Sequence, residues 1–309
     1  PNMEYLPSAK INVKIKFGNS FKMVDYTSKL VKCLLIRGNP KLERIFETNK
    51  SAFLKPISIT PLFYKGKPLY SRIMPKGNTI KPSLKFSPIT ISKNTEYEFY
   101  IGVSARLLSD VFSAITNIVN EFKFGRDIIR VKEVTTSIEY YHNRDRVLNL
   151  EDLKEDFKEI KITLITPTIL KDPFLRYGDS KMNIYLPTQD AVFSIPLLMS
   201  LKDSGVYRES LYRKFLEYLH SIFIPTYTIL GTVSIVWLMY DSSPEPALIG
   251  YVKYIMQVNA LNQIDRIVRL KHGLDFVKIL SKALLLSTIY GIGCSRATGF
   301  GRVSISYLK

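Results

Sequence analysis

The sequence is poor in the residues that build disulfides and metal centres. Of its 309 residues, two are cysteines, Cys33 and Cys294, and three are histidines. The two cysteines are far apart, form no C-x-x-C pair and belong to no Cys/His cluster, which argues against a disulfide framework or a zinc site. We therefore expect no metal and no cofactor, and a reducing cytoplasm is the simplest compartment.

Long uninterrupted apolar runs are also lacking. The first 22 residues alternate polar and apolar side chains, so the sequence predicts no secretory leader. Residues 222–239 are apolar enough to suggest a membrane span, but Pro225 and Gly231 interrupt them and favour a buried strand. With 46% hydrophobic residues and a mean hydropathy of +0.03, the composition is typical of a soluble globular chain with room for two domains.

Acidic residues are in deficit. The chain has 44 Lys and Arg against 27 Asp and Glu, a net charge of +17, which favours polyanionic partners such as nucleic acids. Most of the excess lies at the start, since residues 1–80 hold 15 basic and 4 acidic side chains. A solvated lysine-rich surface, as in thermophilic proteins, is the alternative that charge alone leaves open.

The most informative motif is rich in glycine. Residues 291–302 read GIGCSRATGFGR, in which two G-x-G turns bracket five residues. Glycine permits positive φ and close approach of main chains, and successive N–H groups can form an anion site. The loop is neither a Walker A loop nor a dinucleotide fingerprint, because it follows a helix and precedes a strand. It is a structural turn or a phosphate cradle, and the basic charge favours the cradle.

The order of predicted elements in the second half is β-α-β-β-α-β, which is the ferredoxin-like split βαβ arrangement. Turn-rich residues 241–246 separate its two middle strands. The predicted elements are a strand at 157–166, a helix at 206–223, strands at 227–239 and 249–258, a helix at 274–290 and a strand at 302–308.

The first half has the same predicted order, so we expect an α+β fold with two tandem ferredoxin-like (βαββαβ) domains. Charge rises and hydrophobicity falls around residues 144–156, and this places the domains at 1–148 and 149–309. The predicted elements are a strand at 10–17, a helix at 28–36, strands at 54–64 and 97–103, a helix at 105–122 and a strand at 129–140.

Two such units with a G-h-G-x5-G-h-G loop before the last strand resemble the RAMP superfamily of CRISPR-associated proteins. Within it, the chain resembles the repeat RNA-processing endoribonuclease, the sixth Cas family. Gly291-Ile292-Gly293 and Gly299-Phe300-Gly301 match the loop, and Arg296 supplies its basic residue. The resemblance implies metal-independent cleavage of CRISPR precursor RNA within its repeats by 2′-hydroxyl attack. The products would be 2′,3′-cyclic phosphate and 5′-hydroxyl ends, and mature guide RNAs.

The chain departs from that family in its histidines. The resemblance implies a histidine in the first domain, but His142, His220 and His272 all lie outside its first predicted helix and the loop that follows. His220, near the end of an amphipathic helix, is better interpreted as a surface or capping residue. A histidine general base is therefore not expected here.

Lysine is the available substitute, and the segments around residues 28–32 and 55–59 look like places that the family uses. Lys29 and Lys32 share one face of the predicted first helix, and Lys55 opens the next strand. Ammonium groups serve as transition-state clamps and proton donors, and Tyr26 would orient the 2′-hydroxyl. The alternative makes the two helical lysines an ordinary solvated face.

The resemblance also implies an RNA-binding loop, and a non-catalytic reading stays open. RAMP folds also serve as subunits that bind guide RNA in CRISPR effector complexes without cutting it. The expected partners are CRISPR repeat RNA, with effector-complex subunits and a second copy of the chain as further candidates, and no membrane. Phe300 is expected to pack under its loop. The predicted RNA-binding residues are Gly291, Gly293, Ser295, Arg296, Gly299, Gly301 and Lys50.

Overall fold

The computed structural model of the protein contains two main antiparallel β-sheets, one in each half of the chain. It describes residues 4–47, 54–73, 86–118, 120–145, 159–177, 180–226 and 229–308. The elements of the first half are β1 (Ser8–Phe17), β2 (Phe21–Met23), α1 (Ser28–Gly38), α2 (Glu43–Glu47), β3 (Ile57–Ile59), β4 (Phe63–Tyr64), β5 (Lys67–Pro68), β6 (Ile89–Ile91), β7 (Glu96–Ser104), α3 (Ala105–Thr116), β8 (Glu121–Phe124) and β9 (Asp127–Tyr141).

The second half has a larger helical layer than the first. A 3₁₀ turn at Arg296–Thr298 lies inside the glycine loop. The elements are β10 (Glu159–Thr168), β11 (Leu170–Tyr177), β12 (Ser180–Ile184), α4 (Gln189–Asp203), α5 (Glu209–Ile222), β13 (Phe223–Pro225), α6 (Ile229–Thr232), β14 (Val233–Tyr240), β15 (Ser243–Met256), α7 (Val258–His272), α8 (Phe276–Tyr290) and β16 (Val303–Leu308).

The two sheets share one strand order. In the first, β3 pairs with β7, β7 with β1 and β1 with β9, while in the second the order is β13-β15-β10-β16. Both place the first strand of the unit between its third and fourth, which is the ferredoxin-like order. The predicted α+β fold with two such units is confirmed. The predicted boundary at residues 148 and 149 lies outside the described residues and stays a prediction.

Local sequence explains the elements that position the loop. Strand β1 buries Ile11, Val13, Ile15 and Phe17, the period-two pattern of a half-buried strand. Helix α1 buries Leu30, Val31, Leu34 and Leu35 on one face and stops before Pro40. Helix α8 is apolar around most of its circumference, because protein covers all of it except the side that carries Lys278.

The predicted elements omit two long helices, α4 and α7, and two short ones, α2 and α6. Helix α4 is buried around most of its circumference and contains Pro196, so it lacks a one-sided apolar period. Helix α7 did carry a signal, since Leu261, Ile264 and Val268 are buried at helical spacing and Gly273 ends the helix with φ of 65°. The apolar residues after 222 divide among β13, α6 and β14.

None of the helices in the described residues combines the length and apolar character that a bilayer crossing needs.

The end of α8 meets the first sheet without intervening side chains. Gly102 on β7 lies so close that a Cβ there would be 1.9 Å from the carbonyl oxygen of Ile289. Ser58 on β3 donates its hydroxyl to the same carbonyl at 3.1 Å. The contact satisfies one of the free carbonyls at the helix C-terminus and joins the two halves of the molecule.

We expect Gly102→Ala to lower the free energy of unfolding by about 3 kcal/mol, because the added methyl group must displace main chain rather than a side chain. Denaturant unfolding measures the loss. Gly231→Ala is the matched control, since nothing lies within 4 Å of a Cβ there, and it should change stability by less than about 1 kcal/mol. Equal unfolding midpoints for the two variants would contradict the close approach.

Candidate functional site

The glycine loop is anchored to the strands that precede it in its own half. The N–H of Cys294 donates to the carbonyl of Ile169 at 2.9 Å, and the N–H of Gly301 donates to that of Pro167 at 3.0 Å. Ile292 closes the loop by donating to the carbonyl of Gly301 at 2.8 Å. The loop is therefore a rigid continuation of the second sheet.

This geometry corrects the expected phosphate cradle. All four glycines have φ between 71° and 105° and are buried, and Ser295 is the exposed residue between them. A phosphate would have to break existing main-chain bonds to reach most of the loop's N–H groups. The main-chain donors already bonded to protein carbonyls are Gly291, Ile292, Cys294, Thr298, Gly299, Phe300 and Gly301. Gly291, Gly293, Gly299 and Gly301 thus serve close packing, and Ser295 alone of the predicted loop residues faces solvent.

Arg296 is a second correction. Its side chain is only 7% exposed, and its Nη1 donates to the carbonyl of Tyr290 at 3.3 Å. Burial lowers the pKa of this guanidinium. A cation at the C-terminal end of α8 complements the partial negative charge of the last carbonyls. Arg296 therefore stabilises the C-terminal end of α8 from within the protein, and its charge is not exposed to a ligand.

Tyr26 is a third correction. Its side chain is fully buried, its hydroxyl donates to the carbonyl of Gly299 at 2.7 Å, and its ring stacks on Phe300 with centroids 4.5 Å apart. Burial raises its pKa well above the ordinary value. The residue holds the loop to the first domain and is not available to orient a sugar hydroxyl. Phe300 packs under the loop, as its sequence position indicated.

The first turn of α1 docks on the glycine loop. Ser28 donates its hydroxyl to the carbonyl of Thr298 at 2.6 Å, and a Cβ on Gly299 would lie 2.4 Å from the Cβ of Ser28. Lys29 is the next residue of the helix. The structure thus brings the loop and the predicted lysine helix to one place, which we call the seam: residues 26–32 together with residues 295–300.

Lys29 is held by two carboxylates. Its Nζ lies 2.9 Å from Asp25 Oδ2 and 2.8 Å from Asp241 Oδ1, and it sits over the ring of Tyr240 at 5.8 Å. Burial alone would lower the pKa of Lys29, but the hydrogen bonds and charges of Asp241 and Asp25 raise it. Asp241 is at the tip of the β14–β15 hairpin. The β14–β15 hairpin of the second half of the chain therefore contacts α1 through this ion pair.

Lys32 and Lys55 meet at Phe46. The ammonium group of Lys32 lies 5.8 Å from the centroid of the Phe46 ring, and Lys55 Nζ donates to the Phe46 carbonyl. Burial lowers the pKa of Lys55, and the nearby charge of Lys32 lowers it further. The two predicted lysines are thus neighbours, whereas Lys29 on the same helix faces the hairpin. Lys50 lies outside the described residues.

The histidines belong to other elements. His142 follows β9, His220 lies on α5 with Nε2 at 3.4 Å from Asp190 Oδ1, and His272 ends α7. None of them is on α1, on β3 or in the glycine loop. Within the residues that the structure describes, no three His, Cys, Asp or Glu side chains gather as metal ligands.

Sequence reasoning missed two charged residues at Lys29 and one, Arg302, that contacts the first sheet. The spacing of Asp25 and Lys29 was a readable i,i+4 pair, but nothing local connects Asp241 to either. Arg302, directly after the loop, lies with its guanidinium carbon 4.3 Å from the ring centroid of Tyr100 on the first sheet. Burial lowers the pKa of Arg302. The position of Arg302 directly before β16 does not indicate that its side chain contacts the first sheet.

Comparisons with known proteins agree with this architecture. The family model of the Cas6 N-terminal domain matches residues 9–139. A Cas6 product complex shares the fold with a TM-score of 0.59 at 14% identity, covering 98% of this chain and 99% of its own. A protein encoded by a Cas6-related gene of Pyrococcus furiosus has a TM-score of 0.53 at 13% identity, with 97% and 98% covered.

Thermus thermophilus Cas6 also has a TM-score of 0.53, at 14% identity, with 97% of this chain and 98% of its own covered. At such identities the likeness establishes a common fold along the whole chain. Among curated proteins, no sequence matches this one.

We expect Asp241→Asn to lower the pKa of Lys29, because one of the two carboxylates that raise it is lost while burial stays. Nuclear magnetic resonance of the lysine side chains, assigned with Lys29→Ala, measures the titration. Glu245→Gln, which removes the same charge from the same hairpin, should leave Lys29 unchanged. Equal shifts in both variants, or a shift in neither, would show that Asp241 does not hold the ammonium group.

Proposed function

We propose that this protein cleaves CRISPR precursor RNA within its repeats, because the model of the Cas6 N-terminal domain matches residues 9–139 and the whole chain shares the fold of Cas6 structures. The reaction is transesterification without a metal ion. The substrate is the repeat RNA, and the products are guide RNAs bearing a 2′,3′-cyclic phosphate, with a 5′-hydroxyl on the other fragment.

RNA supplies its own nucleophile for this reaction. The 2′-hydroxyl next to the scissile phosphate attacks phosphorus in line and gives up its proton to solvent water. A P–O bond forms to O2′, and the bond to the 5′-oxygen breaks as that oxygen takes up a proton. The enzyme has to align the sugar, offset the charge that gathers on the phosphorane-like transition state and protonate the leaving oxygen. Cations and one proton donor, with solvent water as the proton acceptor, are sufficient for these tasks.

The observation that carries the proposal is the seam itself. The first turn of α1 is held on the glycine loop by Ser28, so Lys29 and Lys32 have a fixed orientation relative to the second domain. Lys55 enters the same region through Phe46. Lys32 and Lys55 thus form one pair of ammonium groups at Phe46, and Lys29 is a third on the side of the hairpin. Cations placed in this way are suited to contact successive phosphates of an RNA strand.

The three lysines take different roles in this proposal. Lys55, whose pKa is lowered by burial and by Lys32, is the proton donor to the leaving 5′-oxygen, because an acid of lowered pKa releases its proton more readily. Lys32 offsets charge on the transferring phosphoryl oxygens. Lys29 binds a neighbouring phosphate, which replaces Asp241 as its partner. Tyr26 has no role in the chemistry.

A second candidate function is RNA binding without cleavage, as a subunit of a CRISPR effector complex. The absence of histidine from α1, β3 and the glycine loop favours it, together with the neutralisation of Lys29 by Asp25 and Asp241. One protein of this fold is described as a RAMP protein that binds different RNA substrates. Assembly of two copies of the chain is a further prediction that neither function requires.

The two candidates differ in one assay. Purified protein is incubated with end-labelled repeat RNA in EDTA, and the proposed nuclease yields a discrete product that ends in a 2′,3′-cyclic phosphate. The same RNA carrying a 2′-deoxy sugar at the cleaved position should bind and stay intact. Tight binding of the normal repeat with no product would establish the binding subunit instead.

We expect Lys29→Ala, Lys32→Ala and Lys55→Ala each to lower the single-turnover rate, with Lys55→Ala costing about 100-fold or more because a proton donor is lost. RNA affinity should change by less than about tenfold, since at most one phosphate contact is removed. Lys278→Ala, which removes a 63%-exposed lysine side chain from α8, is the control. Normal rates for all three lysine variants would place the chemistry elsewhere.

The pH dependence of cleavage distinguishes a lysine that donates a proton from one that only supplies positive charge. Cleavage should fall on the alkaline side at a pH below the ordinary lysine value of about 10.4, because the lowered pKa of Lys55 means that its proton is lost earlier. Lys55→Arg keeps the charge but does not titrate in this range. Its residual activity should therefore lack that alkaline decline, whereas an unchanged profile would assign the decline to another group.

A further inference from the structure

A separate cleft opens in the helical layer of the second half. It lies between the residues that lead into α5, the outer side of α5 and the end of α7, and its volume is about 680 Å³. Val206, Leu211 and Leu274 form an apolar part of its wall. This volume is within the range of small-molecule sites in proteins.

Basic side chains surround the cleft. Arg208, Lys214, Lys271 and His272 all line it. Lys214 pairs with Glu217 at 2.8 Å, but among the described residues neither Arg208 nor Lys271 forms an ion pair. A concave surface lined by charge of one sign concentrates its field on the space inside. The cleft therefore attracts an anion, which would pair with Arg208 and Lys271.

Two tyrosines add flat surfaces to the same cleft. Tyr207 is 37% exposed, and its hydroxyl is fixed by donation to Glu209 Oε2 at 2.7 Å. Burial and Glu209 together raise the pKa of Tyr207 to about 12, so its ring stays neutral. Tyr218 lies against Phe276, with centroids 6.1 Å apart. Rings held in place next to cations are suited to stack on a nucleobase.

The cleft is remote from the seam. Leu274 in its wall stands two residues before α8, and the glycine loop follows the other end of that helix. The 15 residues of α8 separate the two places by about 22 Å. A ligand in the cleft therefore leaves Lys29, Lys32 and Lys55 free.

We infer that this cleft binds a nucleoside monophosphate unit. Arg208 and Lys271 take the phosphate as charge-assisted donors, and the base lies between an exposed tyrosine ring and the apolar wall. The unit comes from a free nucleotide or from an RNA strand that extends beyond the seam, since both present the same chemistry. The inference does not depend on RNA cleavage.

Titration of the folded protein with AMP, observed on its tyrosine and histidine ring signals by nuclear magnetic resonance, tests the inference. We expect saturable binding that shifts Tyr207 and His272, and inorganic phosphate should bind at least tenfold more weakly because it lacks a base. The variant with Arg208→Ala and Lys271→Ala should lose at least tenfold in AMP affinity. Arg266→Ala, which removes a cation from α7 outside the cleft, should bind as the natural protein does.

A short single-stranded RNA distinguishes the two sources. If it competes with AMP and the double variant binds it more weakly, the cleft holds a segment of RNA, and if it does not compete, the occupant is a free nucleotide. Failure of AMP to saturate, equal affinity for phosphate and AMP, or unchanged affinity in a double variant with natural thermal stability would overturn the inference.

Discussion

The arrangement of the two halves depends on the contact between main chain of the glycine loop and the first turn of α1. Gly299 has no room for a side chain because Ser28 and Tyr26 press against it, and both donate hydroxyl hydrogen bonds to loop carbonyls. The direction of α1 is thereby set by the second domain. A motif whose composition indicated a ligand cradle acts as a docking surface for a helix.

Basic charge is gathered at two places that α8 holds apart. At its C-terminal end, buried Arg296 supports the last turn, and the lysines of α1 lie on the far side of the loop. At its N-terminal end, cations line a cleft in the helical layer. One largely buried helix therefore sets the spacing between the two basic regions.

Much of the fold follows from local pattern, and less of the site does. The alternation in β1 and the one-sided apolar face of α1 identify those elements, and the four glycines predict where main chains approach closely. The sequence predicts that Tyr26 and Arg296 contact RNA, because Tyr26 is a polar residue just before the lysine-bearing helix and Arg296 lies inside the glycine loop. In the structure both side chains donate hydrogen bonds to main-chain carbonyls. The neighbouring sequence does not show whether a hydroxyl or guanidinium already has a hydrogen-bond partner within the protein.

The carboxylates at Lys29 also bear on how steeply RNA affinity depends on salt. In the proposed RNA complex, a phosphate that binds Lys29 would release Asp241, and the released carboxylate would attract sodium or potassium ions from solution. That uptake offsets the counterion that the RNA releases in making the contact. The count of lysines along the binding surface therefore overstates the number of ions set free, and affinity falls with ionic strength more gently than the net charge suggests.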